Sequence, residues 1–210
     1  MPRIVGVSTA VPPNVFEQAE VRQRVVEMLG PIAERLAPVF DNAKIERRHF
    51  AAEFEWFGAS HDFTETNDHY IEQTLALAER VVCALADQCG IATTDVDAIF
   101  FVSTTGLSTP SIDARLFNRI PLNPHIKRIP IWGLGCAAGV GGIARAFDYV
   151  KAYPRHRALV VSVELCSLAF QFGDRSKSNV IATALFGDGA AACLVAVSYT
   201  HLTLPTNREV

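Results

Sequence analysis

The stretch GLGCAAGVGG, residues 133–142, sets five of the chain's 13 glycines around one cysteine, Cys136. A cysteine that only packs does so against leucine and valine, whereas glycine on both sides lets another backbone or a ligand come close. Upstream an apolar run ends near Trp132, and downstream Ile143, Ala146, Phe147 and Val150 recur at helical spacing. That pattern puts Cys136 at a strand-to-helix junction, facing the positive end of a helix dipole and N–H groups without intrahelical partners. Such surroundings favour a thiolate, and the chemistry on offer is nucleophilic: attack on a thioester carbonyl, with backbone N–H groups holding the oxyanion. Spacing alone leaves a second reading equally open, a small apolar cysteine at a tight junction. A glycine-rich loop before a helix can also cradle phosphate, but neither GxGxxG nor GxxxxGK[ST] is present.

The other thiols add no metal chemistry. The five cysteines, at 83, 89, 136, 166 and 193, form no CxxC pair and no Cys/His cluster of metal-ligand spacing, and their odd number fits reduced thiols in the cytoplasm. The 210 residues are 50% hydrophobic, enough for a sizeable core. The formal charge is −3, with 19 basic and 22 acidic residues intermixed, a balance that asks for neither nucleic acid nor an anionic membrane. The opening MPRIVGVSTAVPPN lacks the basic head, apolar run and cleavage site of a leader. No segment reaches the roughly 18 uninterrupted apolar residues of a membrane span.

The elements that must position Cys136 follow from periodicity. RIVGV at 3–7 reads as an opening strand, the Pro12-Pro13-Asn14 cluster as a turn, and 17–40 as helix broken at Gly30-Pro31. From Tyr70, the residues Ile71, Leu75, Ala78, Val82 and Leu85 recur at three and four, which predicts an amphipathic helix capped by Asn67 or Asp68 and stopped by Gly90. DAIFFVS (97–103), HIKRIPIW (125–132), ALVVSV (158–163) and AAACLVAV (190–197) read as strands, with helices around 111–119 and 137–151 between them. Strand and helix alternate, so the class is α/β with a mainly parallel sheet. Residues 1–197 contain no repeat or linker and are expected to form one domain. Residues 198–210, SYTHLTLPTNREV, lack periodicity, carry a central proline and resemble translated adapter sequence, and are set aside as a non-native tail.

In this order and spacing, IPIWGLGCAAGVGGIARAFDY, ALVVSVELCSLAFQ and ALFGDGAAACLV resemble the type III polyketide synthases, the chalcone synthase-like branch of the thiolase superfamily. IERRHF at 45–50 and STTGLSTPSIDARL at 103–116 are similar to the same family, above all to its bacterial alkylpyrone-type members. The resemblance covers about 1–197 and implies the N-terminal half of a thiolase-like fold, a mainly parallel mixed sheet with helices on both faces. It also implies an acyltransferase that condenses an acyl-CoA starter with malonyl-CoA by decarboxylative Claisen condensation through a Cys thioester. Cys136 falls at the nucleophile, and Phe186 at a gatekeeper between CoA tunnel and cavity, where the plain alternative is a core aromatic beside a turn. Thr104, Cys166 and Ala169 fall at positions lining that cavity, although Cys166 fits inert packing equally well. Arg35 matches one CoA-phosphate position, while Pro38 and Asn42 occupy two others. Nearby Lys44, Arg47 and Arg48 read as a solvated basic face. Asp188-Gly189 reads as a structural D-G turn and Glu164 as a buried acid in a structural hydrogen bond.

The family's catalytic histidine and asparagine lie beyond residue 197. His201 and Asn207 sit in the odd tail at the wrong spacing, and His49, His61, His69, His125 and His156 match no catalytic position. The resemblance thus implies an N-terminal half, inactive alone, of a cytoplasmic homodimer that uses acyl-CoA and malonyl-CoA and needs no metal or prosthetic group. Likeness to alkylpyrone makers, with small Cys166 and Ala169, points to a fatty acyl starter in preference to a phenylpropanoid one. Two rival readings stand beside it: a ketoacyl synthase III-like initiator of fatty-acid synthesis, and a non-catalytic dimerisation module in which Cys136 only packs.

Overall fold

The computed structural model describes residues 1–197; the stretch 198–210, with His201 and Asn207, lies outside the described residues. In chain order the elements are β1 (Pro2–Ala10), β2 (Asn14–Glu17), α1 (Gln18–Leu29), α2 (Pro31–Leu36), α3 (Pro38–Asn42), β3 (Arg47–Phe50), α4 (Phe54–Phe57), α5 (Phe63–Cys89) and β4 (Ala98–Val102). There follow α6 (Ile112–Leu116), β5 (Lys127–Ile131), α7 (Ala138–Ala152), β6 (Ala158–Leu165), α8 (Lys177–Leu185) and β7 (Asp188–Val197). The main sheet has the order β1-β7-β6-β4-β5. Strands β6, β4 and β5 are mutually parallel, while β7 runs antiparallel to both β6 and β1. Four strands therefore run one way and β7 alone the other, a mainly parallel mixed sheet. Strands β2 and β3 pair antiparallel in a separate two-stranded sheet.

Successive side chains of a strand point to opposite faces, and the buried residues sort accordingly. Ile99 and Phe101 of β4, Leu159, Val161 and Val163 of β6, and Ala192 and Leu194 of β7 share one core with α5 and α6. Their neighbours Phe100, Val102, Val160, Cys193 and Val195 share the other with α7. Both faces are covered, which is why these strands read as continuous apolar runs. On α7 the buried positions are Ala138, Gly142, Ala146 and Val150, a four-residue repeat of small side chains that lets the helix lie close to the sheet. A third core joins Val21, Val25 and Leu29 of α1 to Phe40, Phe50, Phe54, Phe57 and, on α8, Val180 and Ala184.

Local chemistry sets the boundaries. Pro31 and Pro38 each begin a short helix, dividing the helical stretch 17–40 into three, one more than Gly30-Pro31 predicts. Helix α5 ends on Gly90 in the left-handed conformation at φ 63°. Its cap, however, is Asp62, whose Oδ1 accepts the Glu65 N–H at 2.8 Å, so neither Asn67 nor Asp68 caps it. The polar residues 64–69 at the start of α5 hide its beginning in the sequence because apolar periodicity begins only at Tyr70. Among the described residues no helix is long and apolar enough to cross a membrane.

Candidate active site

Parallel strands deliver their carboxyl ends to one edge of a sheet, and here three loops meet there. Strand β4 runs out into Thr104, β5 into the turn carrying Cys136, and β6, which carries Glu164 at its end, into Cys166. Because β7 is antiparallel, its first residue, Asp188, pairs with Leu165 at the same edge, which brings Phe186 there too. Thr104, Cys136, Glu164, Cys166, Ala169 and Phe186 line one cavity of about 400 Å³. Arg35 is not among its lining residues; it lies exposed on α2.

The glycines around Cys136 divide by task. Gly133 and Gly135 have φ of 81° and 54°, conformations that side chains other than glycine rarely adopt, and they bend the chain from β5 into a 3-10 turn, Gly135–Ala137, that feeds α7. At Gly142 a β-carbon would meet Val160 at 3.1 Å and Val102 at 3.3 Å, so that glycine serves the helix-to-sheet approach. The turn leaves Cys136 exposed, whereas Cys83, Cys89 and Cys166 are partly buried and Cys193 is buried. Cys166 faces the same cavity, but burial, then the charges of Asp188 and Glu164, push its thiol up to about 12, which keeps it protonated.

Glu164 holds the opposite wall. Its two carboxylate oxygens accept the Thr104 N–H at 3.0 Å each, and Oε2 accepts the Thr105 N–H at 3.1 Å; Thr105 Oγ1 in turn accepts the Leu165 N–H at 2.9 Å. Side chains thus continue the β4–β6 ladder after the strands diverge. Further along the loop, Asn67 brackets Leu107, donating to its carbonyl at 2.9 Å and accepting its N–H at 2.8 Å. Gly106 lies flat on the buried ring of Tyr70: an added β-carbon would come within 2.2 Å of it. Tyr70 donates to Ser103 Oγ at 2.7 Å, and burial raises its phenol above the ordinary range. The loop-holding roles of Asn67, Tyr70 and Gly106 leave no local trace in the sequence, where Asn67 reads as a cap candidate, Tyr70 as the start of an apolar period and Gly106 as part of STTG.

Two expectations are corrected. Arg48 belongs to no solvated basic face: it is 3% exposed and its guanidinium donates to Gln18 Oε1 and to the carbonyls of Thr183, Ala184 and Phe186. Burial pulls its pKa down, and Asp188 and Cys166 oppose that pull. Lys44 and Arg47 are exposed. Asp188-Gly189 is not a turn but the first pair of β7, where the buried Asp188 accepts the Ala51 N–H at 2.8 Å, the Ser167 N–H at 2.7 Å and the Ser167 hydroxyl at 2.5 Å. The pairing with Leu165 and Glu164 absorbs the dipeptide into the sheet. Burial raises the Asp188 carboxyl against these hydrogen bonds.

Among the described residues no histidine lines the cavity. His49 donates to the Pro12 carbonyl at 3.0 Å, His69 to that of Ala51 at 3.0 Å, and His61 stacks on Trp56 at 4.0 Å. His156 meets the Tyr149 hydroxyl at 2.7 Å, and His125 is exposed.

Residues 2–198 match the family model of the chalcone and stilbene synthases, N-terminal domain. A chalcone synthase-type protein of Bacillus subtilis (strain 168) is 46% identical over 200 residues, 91% of this chain and 55% of that protein. The 1,3,6,8-tetrahydroxynaphthalene synthase of Streptomyces peucetius subsp. caesius is 38% identical over 192 residues, 90% of this chain and 51% of that one. Among solved structures, the 1,3,6,8-tetrahydroxynaphthalene synthase of Streptomyces coelicolor A3(2), a bacterial type III polyketide synthase, superposes with a TM-score of 0.86 at 31% identity, over 91% of this chain and 56% of that chain. The chain spans about half the length of the curated relatives it matches.

Proposed function

Since the chain belongs to the chalcone and stilbene synthase family, matching its N-terminal domain, we propose that Cys136 is the thiol on which acyl groups are held for polyketide condensation. The observation that carries this reading is the exposed Cys136 on a turn that opens into the cavity shared with Thr104, Cys166, Ala169 and Phe186. The Cys136 thiolate attacks the carbonyl of an acyl-CoA starter; the new C–S bond forms as the bond to CoA breaks, and CoA leaves as a thiolate that takes up a proton. Malonyl-CoA then loses CO₂, the electron pair of the broken C–C bond remains as an enolate, and its carbon attacks the Cys136 thioester. Cys136 departs as thiolate, leaving a 3-ketoacyl-CoA that can reload. The sequence of steps needs no metal or prosthetic group.

Phe186 stands at the rim as a gate between the CoA side and the cavity, and Thr104, Cys166 and Ala169 shape the space around the growing chain. Arg35, away from the cavity, contacts the CoA phosphate end. The groups that stabilise the enolate lie outside the described residues, so the chain alone takes up an acyl group but releases no condensation product. The whole enzyme works as a cytoplasmic homodimer. Its starter is a fatty acyl-CoA: the cavity wall is mainly apolar, and a relative of Mycobacterium tuberculosis, 29% identical over 222 residues, 99% of this chain and 54% of that protein, is named for α-pyrone synthesis.

Incubation with lauroyl-CoA, coumaroyl-CoA and malonyl-CoA, followed by peptide mass spectrometry, tests the reading. Lauroyl is expected on Cys136, ahead of coumaroyl. Acylation of another cysteine, or of none, would overturn the assignment, and preference for coumaroyl would reverse the choice of starter.

A further inference from the structure

Arg48 on β3 is a buried cation for which the chemistry above has no use. Three of its hydrogen bonds go to the end of α8: Nη1 donates to the carbonyls of Thr183 at 2.8 Å and Ala184 at 2.7 Å, and Nη2 to that of Phe186. The last turn of a helix presents carbonyls with no intrahelical donor and a partial negative charge, and a cation there answers both. Helix α8 has no basic residue in its own last turn, so the cation reaches it from a segment more than a hundred residues earlier. Gln18 completes the arrangement. Its Oε1 accepts from Arg48 at 3.3 Å, while its Nε2 donates to the Ala184 carbonyl at 3.2 Å and to that of Phe40 at 3.4 Å.

The result is a fixed backbone under a free ring. The Phe186 carbonyl is held by Arg48 and its N–H by the Ala182 carbonyl at 2.9 Å, and two residues later Asp188 is tied to Ala51 and Ser167. The Phe186 side chain is nonetheless 52% exposed. It borders both the Cys136 cavity and a second, apolar cleft walled by Val25 and Met28 of α1 and Phe54 and Phe57 of α4.

We propose that Arg48 is the positioning residue of this gate: it pins the Phe186 backbone so that only the ring turns, between the Cys136 cavity and the cleft behind it, and so sets the size of acyl group that reaches the thiol. The proposal rests on the reading of Phe186 as a gate. Lysine would keep the charge but lose the planar fork that spans three carbonyls.

Two alkylating agents of one chemistry and different bulk, iodoacetamide and its N-dodecyl derivative, read the gate on the 210-residue chain without any acyl-CoA. The readout is the ratio of their rates at Cys136, large over small, mapped by mass spectrometry beside a thermal melt of each variant. The ratio is expected to rise about fivefold in Phe186→Ala and in Arg48→Met, and less in Arg48→Lys, with the double variant Arg48→Met/Phe186→Ala gaining nothing over Phe186→Ala. A ratio raised by Phe186→Ala but not by Arg48→Met overturns the role of Arg48 alone. A ratio indifferent to Phe186→Ala rejects the gate, and Arg48's role with it. Additive effects in the double variant, or equal acceleration of both reagents by Arg48→Met, mark general loosening and also overturn the proposal. Should Arg48→Met fail to melt cooperatively, Arg48→Lys and Gln18→Ala carry the test, and unchanged ratios in both folded variants overturn it.

Discussion

Five thiols share this chain, and their surroundings separate them. Cys136 is exposed on its turn, while the other four are wholly or partly covered, so iodoacetamide at neutral pH is expected to label Cys136 first; prior labelling of Cys83 or Cys89 by peptide mapping would contradict this. Burial pushes the Cys193 thiol up to about 11 from an ordinary 9.0. A folded-state pKa raised in this way favours the neutral thiol, so its contribution to stability is complete below the unfolded value and is lost as pH rises through the folded one. Urea midpoints are accordingly expected to fall between about pH 9 and pH 11, and to fall less steeply in Cys193→Ala, whose stability below about pH 9 is lower because of the cavity it leaves. An unchanged slope in Cys193→Ala would remove this thiol from the account. At this scale the nucleophile was legible because glycine and cysteine form a local pattern. Arg48 was not: a basic residue in a short exposed-looking run reveals its burial only when α8, distant in sequence, presents carbonyls to it.

The strands and long helices were readable for a related reason, since a face buried against a sheet imposes a period on the residues themselves. Ile99, Phe101, Phe100 and Val102 announce β4, and Ala146 and Val150 announce α7. Elements held by distant partners left no such trace. The four-residue β2 and β3 strands pair across three intervening helices, and α8 starts in a polar stretch at its Ser176 cap, whose side chain accepts the Asn179 N–H at 3.2 Å. The loop after β4 belongs with these, for its shape depends on α5: Asn67 grips Leu107 and Tyr70 fills the space beneath Gly106. Gly106→Ala would drive a β-carbon into a ring that is 2% exposed and tethered to Ser103, leaving the loop or the ring to move. Overpacking of this kind costs about 1–3 kcal/mol. A lower urea midpoint, together with slower alkylation of Cys136 if the displaced loop narrows the shared cavity, is the expected result. A variant as stable as the parent would show that Tyr70 has room to retreat.

Several exposed apolar side chains flank the chemistry of the molecule as a whole. Trp132 is 62% exposed, Leu134 48% and Val140 73% in the segment carrying Cys136, and across the cavity Leu185 is 45% exposed and Phe186 52%. Strands β1 and β5 end the sheet, each with one side that no described strand pairs, and Ile4 and Val7 of β1 are also 44% and 51% exposed. Apolar patches beyond a few hundred Å² on a single chain, and open strand edges, both favour association. The 210-residue chain is therefore expected to self-associate and to bind the dye ANS, as judged by sedimentation velocity and fluorescence. Lysine at Val140 and at Trp132 distinguishes a specific apolar surface from a chain that is merely poorly folded. Both side chains are well exposed, and substitutions at such positions usually shift stability by no more than about 0.5 kcal/mol. The double variant Trp132→Lys/Val140→Lys should keep the parent's thermal melt and its Cys136 alkylation by iodoacetamide, while shifting the sedimentation profile toward monomer and weakening dye binding. Unaltered association in a variant that melts normally would move the cause from this face to the strand edges. A parent chain that sediments as monomer without binding dye would mean that these side chains, though exposed, make no patch large enough to bring two molecules together.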